Sequence, residues 1–186
     1  MALHTFDVSR ADALEDASRY RFCSREELHA LVAPHEGMAL ADLGSGTGFY
    51  TNDLAHHVDV CYGVDVQTEM HDLYREKGVP DGVELVTAEV SDLPFADDSL
   101  DAAFSTMTYH EFATDESFAE LSRVLRPGGR LVTVDWDGNG EGRGGPPVDD
   151  RYDLAHAVSL HADHGFALER AETRPETFVC VGRLET

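Results

Sequence analysis

Short apolar runs alternate with amphipathic stretches along most of this chain. The apolar runs predict seven β-strands, at residues 38–43, 58–64, 83–88, 100–106, 130–136, 166–173 and 177–184. The amphipathic stretches predict helices at residues 10–22, 25–33, 49–57, 68–77, 117–125 and 152–164. Strands that alternate with helices in this order indicate a parallel, doubly wound α/β sheet.

Two segments depart from that alternation. Residues 137–150 contain five glycines and two prolines, which predicts an irregular loop. Only the turn Arg174-Pro175-Glu176 separates the last two strands, and so short a turn favours an antiparallel pair. We therefore predict a mostly parallel, seven-stranded sheet with an antiparallel last strand. We expect one domain over residues 1–186, with N-terminal cap helices in 1–36 and a substrate-side loop at 137–150.

The chain is strongly acidic. It carries 36 Asp and Glu against 14 Lys and Arg, for a net charge of -22, and Lys77 is the only lysine. The acids are spread over the whole chain, which suits a halophilic, archaeal cytoplasm, because at about 1 M salt the screening length falls to about 3 Å. The same charge disfavours binding to nucleic acid or to an anionic membrane, since both partners require a basic surface.

No apolar run approaches the length that spans a bilayer. The first seven residues also lack a basic region followed by an apolar stretch, so we expect no signal peptide. These two observations predict a cytoplasmic protein with no membrane partner. Whether it forms a homodimer is left open at this point.

The glycine-rich segment after the first predicted strand carries the clearest chemical signal. A glycine turn between a strand and a helix lets the backbone pass close to a ligand, and Asp65 ends the second strand where an acid can bind a ribose. These features alone are compatible with either a dinucleotide or S-adenosyl-L-methionine (SAM) as the bound ligand. However, Phe49 replaces the third glycine of the dinucleotide pattern. Asp42 would also repel a pyrophosphate, whereas it suits an ammonium group.

Four motifs in residues 38–136 together resemble the class I SAM-dependent methyltransferases, in particular the UbiE-like (methyltransferase type 11) group. They are Ala41-Asp42-Leu43-Gly44-Ser45-Gly46-Thr47-Gly48, Gly63-Val64-Asp65, Asp92-Leu93-Pro94-Phe95 with Ser99-Leu100-Asp101, and Arg123-Val124-Leu125-Arg126-Pro127-Gly128-Gly129. The predicted sheet, with its antiparallel last strand, also agrees with that family. The resemblance implies that SAM is the cofactor and S-adenosyl-L-homocysteine (SAH) the product.

The resemblance also implies individual cofactor contacts. Those expected along the methionine part of SAM are Asp42, Gly44, Ser45, Gly46 and Gly48. Those expected at the ribose, the adenine and the cavity wall are Asp65, Val66, Glu89, Val90, Ser105 and Thr106. Glu89 stands where the family usually has Asp, so this chain departs from the pattern there.

The segment Met107-Thr108-Tyr109-His110-Glu111 follows the fourth predicted strand. In doubly wound folds ligands bind beyond the carboxyl ends of the strands, so this segment is expected to face the transferred methyl group. His110 is the candidate general base, because histidine titrates near neutrality, and Glu111 would orient it or bind the acceptor. The alternative is that His110 only caps a helix or contacts SAM.

Three further groups have weaker signals. Asp135 and Trp136, at the end of the fifth predicted strand, would meet the substrate, or else Trp136 packs in the protein interior. Arg19, Tyr20 and Arg21 would close over SAM, or else form a solvated helix face. The spacing of His156, His161 and His164 completes no metal-ligand set, so we expect no metal.

We predict a methyltransferase that acts on a small-molecule acceptor. A quinone or another small aromatic is the acceptor suggested by family analogy alone. Two alternatives remain, a SAM-binding protein without catalysis and an NAD(P)-dependent oxidoreductase.

Overall fold

A computed structural model describes residues 5–186, so residues 1–4 of the segment used to argue against a signal peptide lie outside it. The seven predicted strands form one sheet with the order β3-β2-β1-β4-β5-β7-β6. The strands are β1 (Ala39–Leu43), β2 (Val60–Asp65), β3 (Val83–Thr87), β4 (Leu100–Thr106), β5 (Leu125–Trp136), β6 (Phe166–Thr173) and β7 (Thr177–Leu184).

Strands β1 to β5 pair in parallel, and β7 lies antiparallel to both of its neighbours, β5 and β6. The helices are α1 (Arg25–Val32), α2 (Thr51–Ala55), α3 (Thr68–Lys77), α4 (Tyr109–Phe112), α5 (Asp115–Val124) and α6 (Leu154–Asp163). The predicted fold class, a mostly parallel doubly wound sheet with an antiparallel last strand, is therefore confirmed. Among residues 5–186, no helix combines the length and the apolar character required to cross a membrane.

The sheet separates two apolar clusters, one on each face. Neighbouring residues of β1 belong to different clusters, Leu40 to one and Ala41 to the other, and β4 repeats this with Phe104 and Ala103. Successive side chains of a strand point to opposite faces, so both faces of these strands are buried under helices. This double burial explains why the strands are continuous apolar runs in the sequence.

The prediction of one helix over residues 10–22 is wrong. The segment forms two 3₁₀ helices, Val8–Glu15 and Ala17–Arg21, and each begins where an aspartate side chain accepts a backbone N–H two residues later. Each of these bonds, from the Ser9 N–H to Asp7 and from the Ser18 N–H to Asp16, starts a separate helical segment, so the predicted continuous helix does not form. Only Ala11 is buried in the first segment, so no apolar face stabilises a longer α-helix.

Other helix boundaries also differ from the prediction. Helix α2 begins at Thr51 rather than at residue 49, because the Gly48 N–H is held in a turn by the Ser45 carbonyl. Helix α5 begins at Asp115 rather than at residue 117, because the Thr114 hydroxyl accepts the Ser117 N–H as an N-cap. Strand β5 also begins five residues earlier than predicted, since Leu125 already pairs with Leu100 before the Arg126–Gly129 segment.

The loop at residues 137–150 is irregular, as predicted, apart from a 3₁₀ turn at Val148–Asp150. The buried Arg151, directly after the loop, holds one side of it, because its guanidinium donates to the carbonyls of Pro146 and Gly144. The Glu176 carboxylate accepts the N–H groups of Gly142 and Arg143 on the other side. Side chains outside the loop therefore satisfy its backbone groups.

His161 provides a test of how α6 packs on the sheet. Its ring is fully buried, and that burial lowers its pKa to about 4. An unfolded chain protonates histidine near pH 6.5, so the stabilisation is complete above that pH and is lost as the pH falls toward 4. The advantage of wild type over His161→Gln in unfolding free energy should shrink by about 3 kcal/mol from pH 7 to pH 4.

Denaturant titrations across this pH range measure the difference, and the exposed His57→Gln variant is the matched control. Parallel stability curves for wild type and His161→Gln would show that His161 is not held neutral in the core.

Candidate functional site

The turn after β1 is pressed against three neighbouring elements. The N–H groups of Gly44 and Ser45 both donate to the Val64 carbonyl at the end of β2, at 2.8 and 2.9 Å. Gly44 has φ +77°, and a Cβ there would lie 2.1 Å from the Thr108 side chain. Gly48 has φ +82°, and a Cβ there would lie 2.0 Å from the Tyr74 ring. Glycine is therefore required at both positions by conformation and by space.

Two predicted acids lie at this turn. The Asp65 carboxylate accepts the N–H groups of Gly46 and Gln67, at 2.8 and 2.9 Å, which ties the end of β2 to the glycine turn. Asp42 is buried in β1, where its Oδ2 accepts from the Thr51 hydroxyl at 2.6 Å. Burial raises the pKa of Asp42 to about 7, and the nearby Arg19 guanidinium opposes that shift.

Several buried polar atoms at this edge of the sheet lack a partner. In the described part of the chain, six buried side-chain atoms have no hydrogen bond, and three of them are Asp42 Oδ1, Ser45 Oγ and Ser105 Oγ. Unsatisfied buried polar groups are costly, so their concentration on predicted cofactor residues indicates a place for a polar ligand. Together with the glycine turn, which leaves backbone free to approach a ligand, these residues fit the amino-acid part of SAM.

The N-terminal 3₁₀ segment lies directly over the glycine turn. The Thr47 hydroxyl donates to the Glu15 carboxylate, which also forms an ion pair with Lys77 at 2.8 Å. The Leu14 side chain lies 3.1 Å from the position of a Cβ at Gly46. This segment therefore covers the predicted cofactor residues.

The three N-terminal residues predicted to close over SAM have different contacts in the structure. The Arg19 guanidinium lies 5.0 and 5.1 Å from the ring centres of Phe49 and Tyr50, beside the glycine turn. The Tyr20 hydroxyl donates to Asp53 at 2.8 Å, which holds it on α2. Arg21 is exposed, with its guanidinium over the Phe22 ring. Only Arg19 of the three is directed by its contacts to the region of Asp42.

His110 lies in α4 and is held by an acid that we had not assigned to it. Its Nδ1 lies 2.9 Å from Asp135 Oδ2, and its backbone N–H donates to the same oxygen at 2.7 Å. A carboxylate only accepts hydrogen bonds, so Nδ1 carries a proton, and in the neutral ring Nε2 keeps its lone pair. Burial lowers the pKa of His110, but the charge and hydrogen bond of Asp135 outweigh it, so the pKa is raised.

The sequence predicts Asp135 as a residue that would meet the substrate, because it precedes Trp136 at the end of the fifth predicted strand. Its side chain is 1% exposed, and a buried acid at the carboxyl end of a strand suggests a fixed partner. Its pairing with His110 could not be deduced from spacing. The two residues lie on elements separated by α5.

Glu111 is half-buried, and its carboxylate has no hydrogen bond or ion pair with any residue of the described chain. Burial raises its pKa to about 7, and the charges of Asp65 and Asp135 act in the same direction while His110 opposes them. Glu111 lies in α4 directly after His110, and its backbone N–H donates to the Thr108 carbonyl at 2.9 Å. The prediction that Glu111 orients His110 is not supported by these contacts, because Asp135 occupies that position.

The other predicted residues are placed as follows. Ser105 and Thr106 are buried at the carboxyl end of β4, and Val90 is buried in the apolar core. Val66 follows β2 and is half-buried, while Glu89 is exposed, with a 3.4 Å hydrogen bond from Ser91. The adenine contacts of Val66, Glu89 and Val90 stay predictions, as does the place of Ser105 and Thr106 in the wall of the SAM cavity.

The three histidines considered as metal ligands have hydrogen-bond partners within the protein. His161 Nδ1 lies 2.7 Å from the Ala157 carbonyl, His164 Nδ1 lies 2.9 Å from the Leu160 carbonyl, and His156 Nδ1 lies 2.9 Å from the Tyr109 hydroxyl. Within residues 5–186, no three His, Cys, Asp or Glu side chains are grouped as metal ligands.

The fold and this edge of the sheet define a Rossmann-like methyltransferase class, and comparison with known proteins agrees. Residues 41–133 match the methyltransferase domain family, so this chain belongs to that family. A crystal structure of a SAM-dependent methyltransferase from Aquifex aeolicus superposes with a TM-score of 0.87 and 29% identity. That superposition covers 97% of this chain and 100% of the other.

Two curated relatives show how much of each protein the similarity covers. An uncharacterized methyltransferase of Mycobacterium tuberculosis is 36% identical over 72% of this chain and 58% of its own length. A demethylmenaquinone methyltransferase of Corynebacterium kroppenstedtii is 34% identical over 60% of this chain and 48% of its own length. The chain thus matches only part of these longer relatives. These matches support SAM as the cofactor and do not favour an NAD(P)-dependent oxidoreductase.

Gly44 allows a direct test of the turn. Gly44→Ala introduces both a left-handed Ala and a clash with Thr108, and it should weaken SAH binding at least tenfold. Gly37→Ala is the matched control, because Gly37 has φ +86° with open space around the position of its Cβ. The control should lose about 1 kcal/mol of stability and keep its affinity.

Isothermal titration calorimetry with SAH measures both variants. Wild-type affinity in Gly44→Ala would show that the close approach of the turn is not needed for cofactor binding.

Proposed function

We propose that this chain transfers the methyl group of SAM to a small-molecule acceptor, with His110 as general base. The observation that carries the proposal is the His110–Asp135 pair, held beside the glycine turn at the carboxyl ends of the parallel strands. A SAM-binding protein without catalysis would have no need for a buried carboxylate that fixes the tautomer of a histidine. The demethylmenaquinone relative supports a small-molecule acceptor in general terms.

The chain's own residues would hold the zwitterionic part of SAM by charge. Asp42 and its unpartnered Oδ1 would accept from the ammonium group, and Arg19 would bind the carboxylate. In the described residues Arg19 has no ion pair, and one of its nitrogens donates to the Leu14 carbonyl at 2.7 Å. Asp65 would bind the ribose hydroxyls at the end of β2. When bound, SAM supplies an activated methyl group on a sulfonium.

The protein itself must align the acceptor with the methyl group, exclude water and remove a proton from the acceptor. His110 Nε2 would accept the acceptor's proton, because Nδ1 is committed to Asp135. Asp135 is a positioning residue: it keeps the ring in one tautomer and stabilises the protonated form. The segment Val8–Glu15 would exclude water by covering the cofactor.

Ligand-induced stabilisation tests the cofactor assignment directly. SAM and SAH should each raise the melting temperature, because a ligand at 100 times its Kd stabilises the native state by about 2.7 kcal/mol. NAD should leave the melting temperature unchanged. If neither SAM nor SAH stabilises the protein, the proposal is wrong, and stabilisation by NAD alone would favour the oxidoreductase.

Asp135→Asn tests the catalytic pair. Loss of the carboxylate should lower the pKa of His110, so the acid limb of the pH–rate profile moves to lower pH. Methyl transfer from tritiated SAM to a metabolite extract should fall by about 10²-fold to 10⁴-fold. NMR titration of the His110 ring gives the pKa without requiring a known acceptor.

The exposed Asp163→Asn variant is the control, and SAH affinity should be unchanged in both proteins. An unaltered His110 pKa in Asp135→Asn would rule out the positioning role.

A further inference from the structure

The two N-terminal 3₁₀ helices are attached to the rest of the protein in different ways. The second, Ala17–Arg21, is tied to the start of α2 at two points. The Tyr20 hydroxyl donates to the Asp53 carboxylate at 2.8 Å. The Tyr50 hydroxyl donates to the Arg19 carbonyl at 3.1 Å. These contacts hold the second helix in place without any contribution from the first.

The first 3₁₀ helix, Val8–Glu15, is attached mainly through one carboxylate at its end. Within this helix Ala11 is the only buried residue, so little apolar surface anchors it. The Glu15 carboxylate accepts from the Thr47 hydroxyl in the glycine turn. It also accepts from Lys77 Nζ in α3, at 2.8 Å. Glu15 therefore joins the first helix to both the turn and α3.

The first helix lies over the backbone that is predicted to hold the cofactor. Residues 45–47 of the glycine turn are buried. The Leu14 side chain lies 3.1 Å from the position of a Cβ at Gly46. Just before the helix, the Gln67 amide donates to the Phe6 carbonyl at 3.1 Å, which holds the other end of the cover. A cofactor that contacts this turn can exchange with solvent only when the cover moves.

The two helices meet at Asp16, where the backbone changes from helical to extended. Asp16 is exposed, with φ -71° and ψ 117°, and its side chain accepts the Ser18 N–H as the N-cap of the second helix. Across this joint, the Arg19 guanidinium donates to the Leu14 carbonyl at 2.7 Å. Rotation about a few backbone dihedral angles at such a joint is enough to swing a short segment outward.

We propose that the helix Val8–Glu15 is a gate for cofactor exchange, which Glu15 latches shut and which opens at Asp16. This inference rests on the proposed function, because it takes the glycine turn to be the SAM site. The contacts of Glu15 are made to Thr47 and Lys77 rather than to the cofactor. They therefore stabilise the closed gate equally in the free and the bound protein. Glu15 thus sets how fast SAM enters and SAH leaves, and it leaves the affinity unchanged.

Glu15→Ala separates a gate from a simple wall of the site. It should raise the association and the dissociation rate constant of SAH together by about fivefold, because a partly exposed ion pair with its hydrogen bonds shifts an equilibrium by about that factor. The Kd, which is the ratio of the two, should be unchanged. Lys77→Gln removes only the ion pair and should raise both rate constants by about twofold. Rapid filtration with tritiated SAH measures them.

Asp12→Ala is the matched control, because Asp12 is an exposed acid in the same helix, and it should keep the wild-type rate constants. A second readout requires no ligand. Hydrogen exchange of the free chain, followed by mass spectrometry, should be faster at residues 8–15 in Glu15→Ala and unchanged at residues 17–21.

The other outcomes would each contradict a different part of this proposal. A faster dissociation alone, with weaker SAH binding, would show that the helix is a fixed wall of the cofactor site and would overturn the gate. Wild-type rate constants and hydrogen exchange in Glu15→Ala would overturn the latch. Equally faster exchange at residues 17–21 would overturn the joint at Asp16. If the wild-type chain fails to bind SAH, the proposed function itself is refuted.

Discussion

The close approach of the glycine turn to its surroundings is the constraint on which the site depends. Two consecutive N–H groups, of Gly44 and Ser45, share the Val64 carbonyl, and Thr108 and Tyr74 occupy the space that side chains would need. The turn is therefore held from β2, from α3 and from the segment after β4 together. A backbone fixed on three sides keeps the acids at the strand ends in constant positions, which is what recognition of a small polar ligand requires.

Charged side chains are paired differently on the surface of this acidic protein and at its site. Basic side chains outside the site are largely neutralised, as Arg25 is by Asp53 and Arg123 is by Glu120. At the site the balance is reversed, because Asp42 and Glu111 are buried or half-buried acids without a cationic partner in hydrogen-bond contact. Burial raises the pKa of both acids, because it disfavours their charged forms. A cationic methyl donor such as SAM would favour the charged form of Asp42.

Much of the fold follows from local patterns in the chain. Apolar runs predicted all seven strands, and the amphipathic stretch at residues 25–33 predicted α1, whose first turn is capped where the Glu27 N–H donates to the Ser24 hydroxyl. The failure at residues 10–22 has a local cause as well. Asp7 and Asp16 compete for backbone N–H groups, and the segment has too little apolar surface to favour an α-helix over short 3₁₀ turns.

The sequence by itself determined the sheet, the glycine turn and the family, because these depend on periodicity and on residues that are neighbours in the chain. Only the tertiary structure decided that Asp135, and not Glu111, is the hydrogen-bond partner of His110. His110 and Glu111 are adjacent, yet Asp135, 25 residues from His110, binds one and not the other. That contact exists because β4 and β5 are paired in parallel, which brings their carboxyl ends together, and no spacing in the sequence specifies which side chain the carboxylate will meet.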